Sequence, residues 1–318
     1  LLRSPRAGPR SIQALAQQRQ RLFEEVLGPV SELIAASTRL LIVADGPLRL
    51  VPFAALGLSE SAATVAAMPP GTPLIGWRPL RTTVSLAVHA SLPEVETLGP
   101  LVALADPETD GGRLPWARRE VRDLARSLGG REHQLLVGRR AEEAVLRAAI
   151  GGAGVVHVAG HATVDERFPL EARLLLAPGG GHDGSLHAWE IIESVRTGAR
   201  LVTLSACETG IGVEAGSEGL IGLTRAFHFA GAPSVVASLW PVNDASTSAL
   251  MARFYGHLAD GLPIDESLAA AQASMVTDPP TLEGGGWRRW FGRPTPASGT
   301  EDPAHPYHWA GFQLSGRN

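Results

Sequence analysis

From residue 98 onward, short and continuously apolar runs alternate with longer amphipathic stretches, and few architectures accept that pattern. The runs are "PLVALADP", "HQLLVG", "GVVHVAGHA" (154–162), "ARLVTLSACETG" (199–210) and "APSVVASLWPV" (232–242), with a shorter strand expected at "ARLLLAP". Between and after them lie stretches with helical spacing: "WARREVRDLARSLG" (116–129), "RAEEAVLRAAI", "SLHAWEIIESV", "EGLIGLTRAFHFAG" (218–231), "ASTSALMARFYGHLADG" and "PIDESLAAAQASMV". A strand with no polar alternation is buried on both faces, and crossover helices supply the cover. The expectation is an α/β fold with a mostly parallel sheet and helices on both sides.

The first part of the chain is less regular. A helix is expected over residues 11–36, kinked or split at Gly28-Pro29 because proline lacks the backbone donor. "RLLIVADG" (39–46) reads as a buried strand, "LRLVPFAAL" as an extended piece, and residues 57–80 as a loop. The pattern divides the chain into residues 1–97 and 98–318. The Gly/Pro/Trp stretch 278–306 reads as an irregular surface loop.

Composition narrows the chemistry. There is no lysine; all 28 basic residues are arginine, as codon bias in a GC-rich genome would give, so Schiff-base chemistry and a phosphate-loop lysine are unavailable. A net charge of -4 argues against nucleic acid as a partner. The single cysteine can form neither an internal disulfide nor a cysteine-rich zinc site, and no cofactor is expected. A reducing, cytoplasmic setting is the simplest reading, with no signal peptide and no membrane-spanning run. The chain begins with leucine, as a piece of a longer protein with further N-terminal modules would.

In open parallel sheets, ligands bind beyond the carboxyl ends of strands. His161 and Cys207 both fall there. A free thiol is only a few per cent thiolate near neutral pH, and a histidine beside it can take the proton and return it to a leaving amine. The backbone N–H groups of Cys207 and of Ala162, just after the histidine, are natural oxyanion donors. An inert buried thiol and a core or turn histidine are the competing readings of the two residues, and His157 reads as structural. Ser205 lies on the same side of its strand as Cys207 but deeper.

The segments "VVHVAGHA", "LSACETGIGVEAGSEGLIGLTRAFHFAGAPSVVASLWPVND" and "HPYHWAGFQLSG" together resemble the CHAT domain, a caspase-like cysteine peptidase domain related to separase. "LLIVADGPLRLVPFAAL" and "LVALADP…LPWARREVRDLARSLG" add to the resemblance upstream. The resemblance implies a caspase-like α/β/α sandwich preceded by a smaller α/β subdomain of inactive type. It implies a His/Cys dyad at His161 and Cys207, with Asp244 and Glu208 as substrate-binding candidates. It further implies a cysteine endopeptidase acting through a thioester acyl-enzyme on a protein or peptide, after a basic residue held by Asp244, under control of a regulatory partner or a sensor outside this chain. A catalytically silent, partner-binding scaffold of the same fold is the alternative. Asp244 has a second reading, as N-cap of the helix expected from Ala245. Ala162 stands where the family has glycine, which matters only if that position needs a positive φ.

Weaker patterns stay open. "GIGVEAGSEG" (210–219) reads as a loop beside the nucleophile, since it fits no nucleotide motif. His182, His187, His305 and His308 read as packing residues rather than metal ligands. "GGGWRRWFG" (284–292) reads as an exposed loop, a lid, a docking patch or a self-cleavage site.

Overall fold

The computed structural model describes residues 9–164, 167–208, 218–281 and 302–318. The strands are β1 (Leu40–Ile42), β2 (Leu80–Thr82), β3 (Leu101–Ala105), β4 (His133–Val137), β5 (Val155–Thr163), β6 (Arg173–Leu175), β7 (Ser185–His187), β8 (Leu201–Glu208), β9 (Ser234–Ser238) and β10 (Phe312–Gly316). In the first part of the chain the helices are α1 (Pro9–Val26), α2 (Ser31–Ala36), α3 (Glu60–Ala66), α4 (Leu74–Trp77) and α5 (Leu86–Ser91). The rest carries α6 (Pro115–Ser127), α7 (Glu143–Ala149), α8 (Ala188–Ser194), α9 (Glu218–Phe229), α10 (Asp244–Ala259) and α11 (Ile264–Thr277).

The strands form one sheet in the order β1-β2-β10-β9-β8-β5-β3-β4, with β6 and β7 as an antiparallel extension from β5. Strands β4, β3, β5, β8 and β9 are parallel. β10 runs antiparallel to β9 and parallel to β2, so the first two strands oppose the main set in direction. The architecture is the expected α/β fold with a mostly parallel sheet.

Two apolar layers sandwich the sheet, and β5 serves both. Val155 and Ala159 pack into the core that contains Val121 and Leu124 of α6 and Phe254 of α10. Val156, Val158 and Ala162 pack into the one that contains Leu146 of α7, Ile191 of α8 and Phe227 of α9. This two-sided burial is why the central strands read as unbroken apolar runs.

Several local expectations shift. One holds: the N-terminal helix is split at Gly28–Val30, where Pro29 lacks a donor, and resumes at Ser31. "LRLVPFAAL" is not extended: it forms two 3-10 turns, Gly46–Leu50 and Phe53–Ala55, the first entered through Pro47 and the second preceded by Pro52. The 57–80 stretch holds α3 and α4; Ser59 caps α3 by accepting from the Ala62 N–H, a start signal hidden in a small-residue run. β1 is only half-buried, because it is the sheet's edge. "SLHAWEIIESV" splits into β7 and α8, with His187 and Glu190 forming a reciprocal cap. Most of the 278–306 stretch, including 284–292, lies outside the described residues. Among the described residues no helix is long and apolar enough to cross a membrane.

Candidate active site

The parallel ladder between β5 and β8 runs from Val155↔Leu201 to Ala162↔Glu208, and within it His161 stands directly opposite Cys207. Facing residues of neighbouring strands share one face of the sheet, so the backbone brings the two candidates together. β9 pairs with β8 only as far as Leu204↔Ala237. Ser205–Glu208 therefore project past β9, with β5 on one side and no described strand on the other. Backbone N–H groups that point to the β9 side of this overhang are released from the ladder. Ser205 pairs with Ala159 and is deeper in the sheet. The side chains of Cys207 and Glu208 and residues 209–217 lie outside the described residues.

His161 is 5% exposed. Its Nε2 lies 3.1 Å from the carbonyl oxygen of Gly112. A carbonyl can only accept, so Nε2 carries the proton and donates it. Nδ1 is buried and has no hydrogen-bond partner among the described residues, so its lone pair is available. Burial holds the imidazole pKa below its usual value; the Gly112 carbonyl and the charge of Asp106 oppose that shift without cancelling it. A neutral ring with a free Nδ1 lone pair is the protonation state a general base needs.

The loop that holds His161 has two glycines for different reasons: Gly112 adopts a φ of 94°, and Gly111 leaves room for the ring. A Cβ on Gly111 would lie 2.7 Å from His161 Cδ2, which no side chain tolerates without displacing the ring. Neither residue attracts notice in the sequence, since the loop "DPETDGGRLP" reads only as a connection out of β3.

Ala162 is absent from the described non-glycine residues with positive φ, which are Ala67 and Asp106. The departure from glycine thus brings no backbone strain. Ala162 lies between Glu208 of β8 and Leu174 of β6, at the last pair of the β5–β8 ladder.

Asp244 is the first residue of α10, but that helix is capped by Asn243, whose side chain accepts from Ala245 and Ser246. Asp244 instead reaches α6, where its Oδ2 accepts the Trp116 N–H at 3.0 Å. Burial raises its pKa to about 7; the backbone donors at Trp116 and Ala117 pull the other way, and Glu120 and Asp106 add to the rise. Gly112, in the loop before α6, touches His161, and Trp116, in the first turn of α6, touches Asp244, so the two contacts are made by neighbouring stretches of chain. A hollow of about 300 Å³ opens between α6 and α10, lined in part by Trp116, Ala245 and Ser248.

Beneath the site lies a buried polar chain whose members no spacing or pattern links. His157 Nε2 contacts Glu120 Oε1 at 2.7 Å and Nδ1 contacts the Tyr255 hydroxyl at 3.1 Å. That hydroxyl lies 2.8 Å from Thr203 Oγ1. The chain ties β5, β8, α6 and α10 together. The four histidines weighed as metal ligands have local partners: His187 caps α8, His182 meets Glu143, His305 accepts from the Tyr307 N–H and His308 contacts Ser246. Among the described residues no group of three or more His, Cys, Asp or Glu could hold a metal ion.

The profile of the CHAT domain family matches residues 17–317. Tetratricopeptide repeat protein 28 of Mus musculus is 27% identical over 241 residues, which is 64% of this chain and 9% of that protein. Its Homo sapiens counterpart is 32% identical over 100 residues, 31% of this chain and 3% of that protein. The chain thus spans a small fraction of the curated relatives it matches. Among solved structures, separase of Saccharomyces cerevisiae in its complex with securin superposes with a TM-score of 0.54 at 13% identity, covering 87% of this chain and 15% of that one. The likeness shows a shared fold.

Proposed function

This chain belongs to the CHAT domain family, and from that membership we propose that it is a cysteine endopeptidase with Cys207 as nucleophile and His161 as general base. The observation that carries the reading is the register: His161 lies opposite Cys207 at the end of the β5–β8 ladder. The Nε2–H of His161 is engaged by Gly112, while Nδ1 has no hydrogen-bond partner among the described residues. In this mechanism Nδ1 takes the thiol proton, the thiolate attacks the scissile carbonyl, and a thioester acyl-enzyme forms as Nδ1 returns the proton to the departing amine. Water then attacks the thioester, with His161 acting as base again. The N–H groups of Cys207, on the β8 overhang, and of Ala162, at the last pair of the ladder, are the proposed oxyanion donors.

Asp244 is the proposed determinant of cleavage after arginine or lysine, with Glu208 a further substrate contact. A buried carboxylate pairs well with a guanidinium, and Asp244 is a largely buried carboxylate that no arginine of this chain pairs with among the described ion pairs. Residues 1–97 are proposed as a non-catalytic subdomain joined to the peptidase part, 98–318, through β10. Control by a partner protein is part of the proposal, supported by the separase neighbour having been solved with securin.

The test is direct. Cys207→Ala and His161→Ala are each assayed on a panel of peptides with basic and non-basic residues before the cut, beside labelling by a thiol-reactive probe. Both variants are expected to lose turnover by at least about a thousandfold. Undiminished turnover in either variant would rule out the dyad.

A further inference from the structure

Asp106 follows β3 and is 1% exposed. It adopts φ 47°, a left-handed conformation that non-glycine residues avoid unless, like Asp and Asn, they are short and polar. Its own N–H donates to the Ala159 carbonyl of β5 at 3.0 Å, two residues before His161. Its carboxylate turns back across the following loop. Oδ1 accepts the Leu114 N–H at 2.7 Å, and Oδ2 accepts from Arg113 Nε at 2.9 Å and Arg118 Nε at 2.5 Å. The loop so closed contains Gly111, packed against the imidazole, and Gly112, which accepts its Nε2 proton.

We propose that Asp106 is a positioning residue: by pinning both ends of the 107–113 loop it holds the Gly112 carbonyl against His161 and so fixes which ring nitrogen carries the proton. The inference rests on the reading of His161 as the base. Three backbone and side-chain donors on one buried carboxylate exceed what closing a surface loop requires. Its charge also acts beyond the loop: it favours the protonated forms of both His161 and Asp244. The charged groups on this face are Arg113 in the loop, Arg118 and Glu120 on α6 and Asp244 on α10. Removing the Asp106 charge therefore lowers the pKa of His161 and of Asp244 together.

The experiment uses the full chain with Asp106→Asn, which keeps the left-handed φ and a Leu114 acceptor, and Asp106→Gly, which keeps only the φ. In a Cys207→Ala background, ¹⁵N-histidine NMR, with the His161 signals assigned through His161→Gln, should show one Nε2–H tautomer for the parent. The Gly variant should show a tautomer mixture, and both variants a lower His161 pKa. On active enzyme, kcat should fall about tenfold for Asn and about a hundredfold for Gly, the scale expected of a misplaced base. KM should change less than about twofold, and the acid limb of kcat/KM should move to lower pH.

A single Nε2–H tautomer with an unmoved pKa in Asp106→Gly would overturn the proposal, as would a loss of stability with an unmoved acid limb. If the parent enzyme cleaves nothing, the peptidase reading fails while the NMR result still judges Asp106. Should both variants unfold, Arg113→Gln/Arg118→Gln, which leaves Asp106 in place, must reproduce the kcat loss in weaker form; unchanged kcat there also overturns the proposal.

Discussion

His161 gives its Nε2 proton to the carbonyl of Gly112, 3.1 Å away, across a ring face on which Gly111 allows no Cβ. The two contacts fix different things. The carbonyl selects the tautomer, and the missing Cβ sets the plane of the ring. Gly111→Ala should therefore leave the fold intact and displace the imidazole. We expect kcat to drop at least about tenfold, in line with the sensitivity of catalysis to sub-ångström misplacement, and the melting temperature to change little. Steady-state kinetics beside a thermal melt checks both.

Asp244 gives a pH dependence with a definite sign. Its pKa of about 7 means that the carboxylate is half protonated near neutrality, and only the ionised form pairs with a basic side chain. KM for arginine substrates should fall as pH rises through about 7, and Asp244→Asn should abolish that trend and weaken arginine substrates at alkaline pH. Linkage runs the other way for stability. The folded-state pKa lies above the ordinary aspartate value of 3.8, so the group's stabilising contribution is complete below that value and is lost as pH rises through about 7. Asp244→Asn should thus gain stability relative to the parent when denaturant unfolding is moved from pH 5 to pH 8.5.

The buried chain His157–Tyr255–Thr203 supplies a stability test separate from catalysis. Tyr255→Phe removes a hydroxyl that touches both His157 Nδ1 and Thr203 Oγ1. The loss should be about 1–3 kcal/mol, since a buried polar atom is left without its partner. Urea unfolding should register it while Cys207 remains reactive toward a thiol probe.

Asn243→Ala deletes the cap of α10 and should destabilise the protein by about 1 kcal/mol. Because the capped turn begins with Asp244, the same variant should also raise KM for basic substrates without touching non-basic ones.

The strands, the parallel sheet and the placement of His161 and Cys207 at strand ends were legible because two-sided burial leaves an apolar run in the sequence. Periodicity could not reveal contacts made by polar atoms between distant elements. Asp106 falls near the end of the apolar run "PLVALADP" with nothing to single it out, and only the folded chain shows its carboxylate closing the loop around Gly111 and Gly112. Asp244 illustrates the same limit: proximity in sequence offered a cap for its own helix as one of two readings, yet Asn243 takes that role and Asp244 meets α6. The 3-10 turns at 46–55 and the helices at 60–77 were missed because prolines and small residues carry little directional pattern.

β10 seats the early strands: β2 pairs with it, and β1 pairs with β2. The Thr82 hydroxyl bonds the Leu314 carbonyl across 232 residues of chain. During synthesis, β1 and β2 leave the ribosome first yet have no berth in the sheet until this late strand emerges. Assembly of the whole sheet is therefore the final event of translation through this region rather than a gradual one. The half-made chain must wait with Leu80 and its neighbours uncovered, a window in which a chaperone holding residues 40–82 has something to hold.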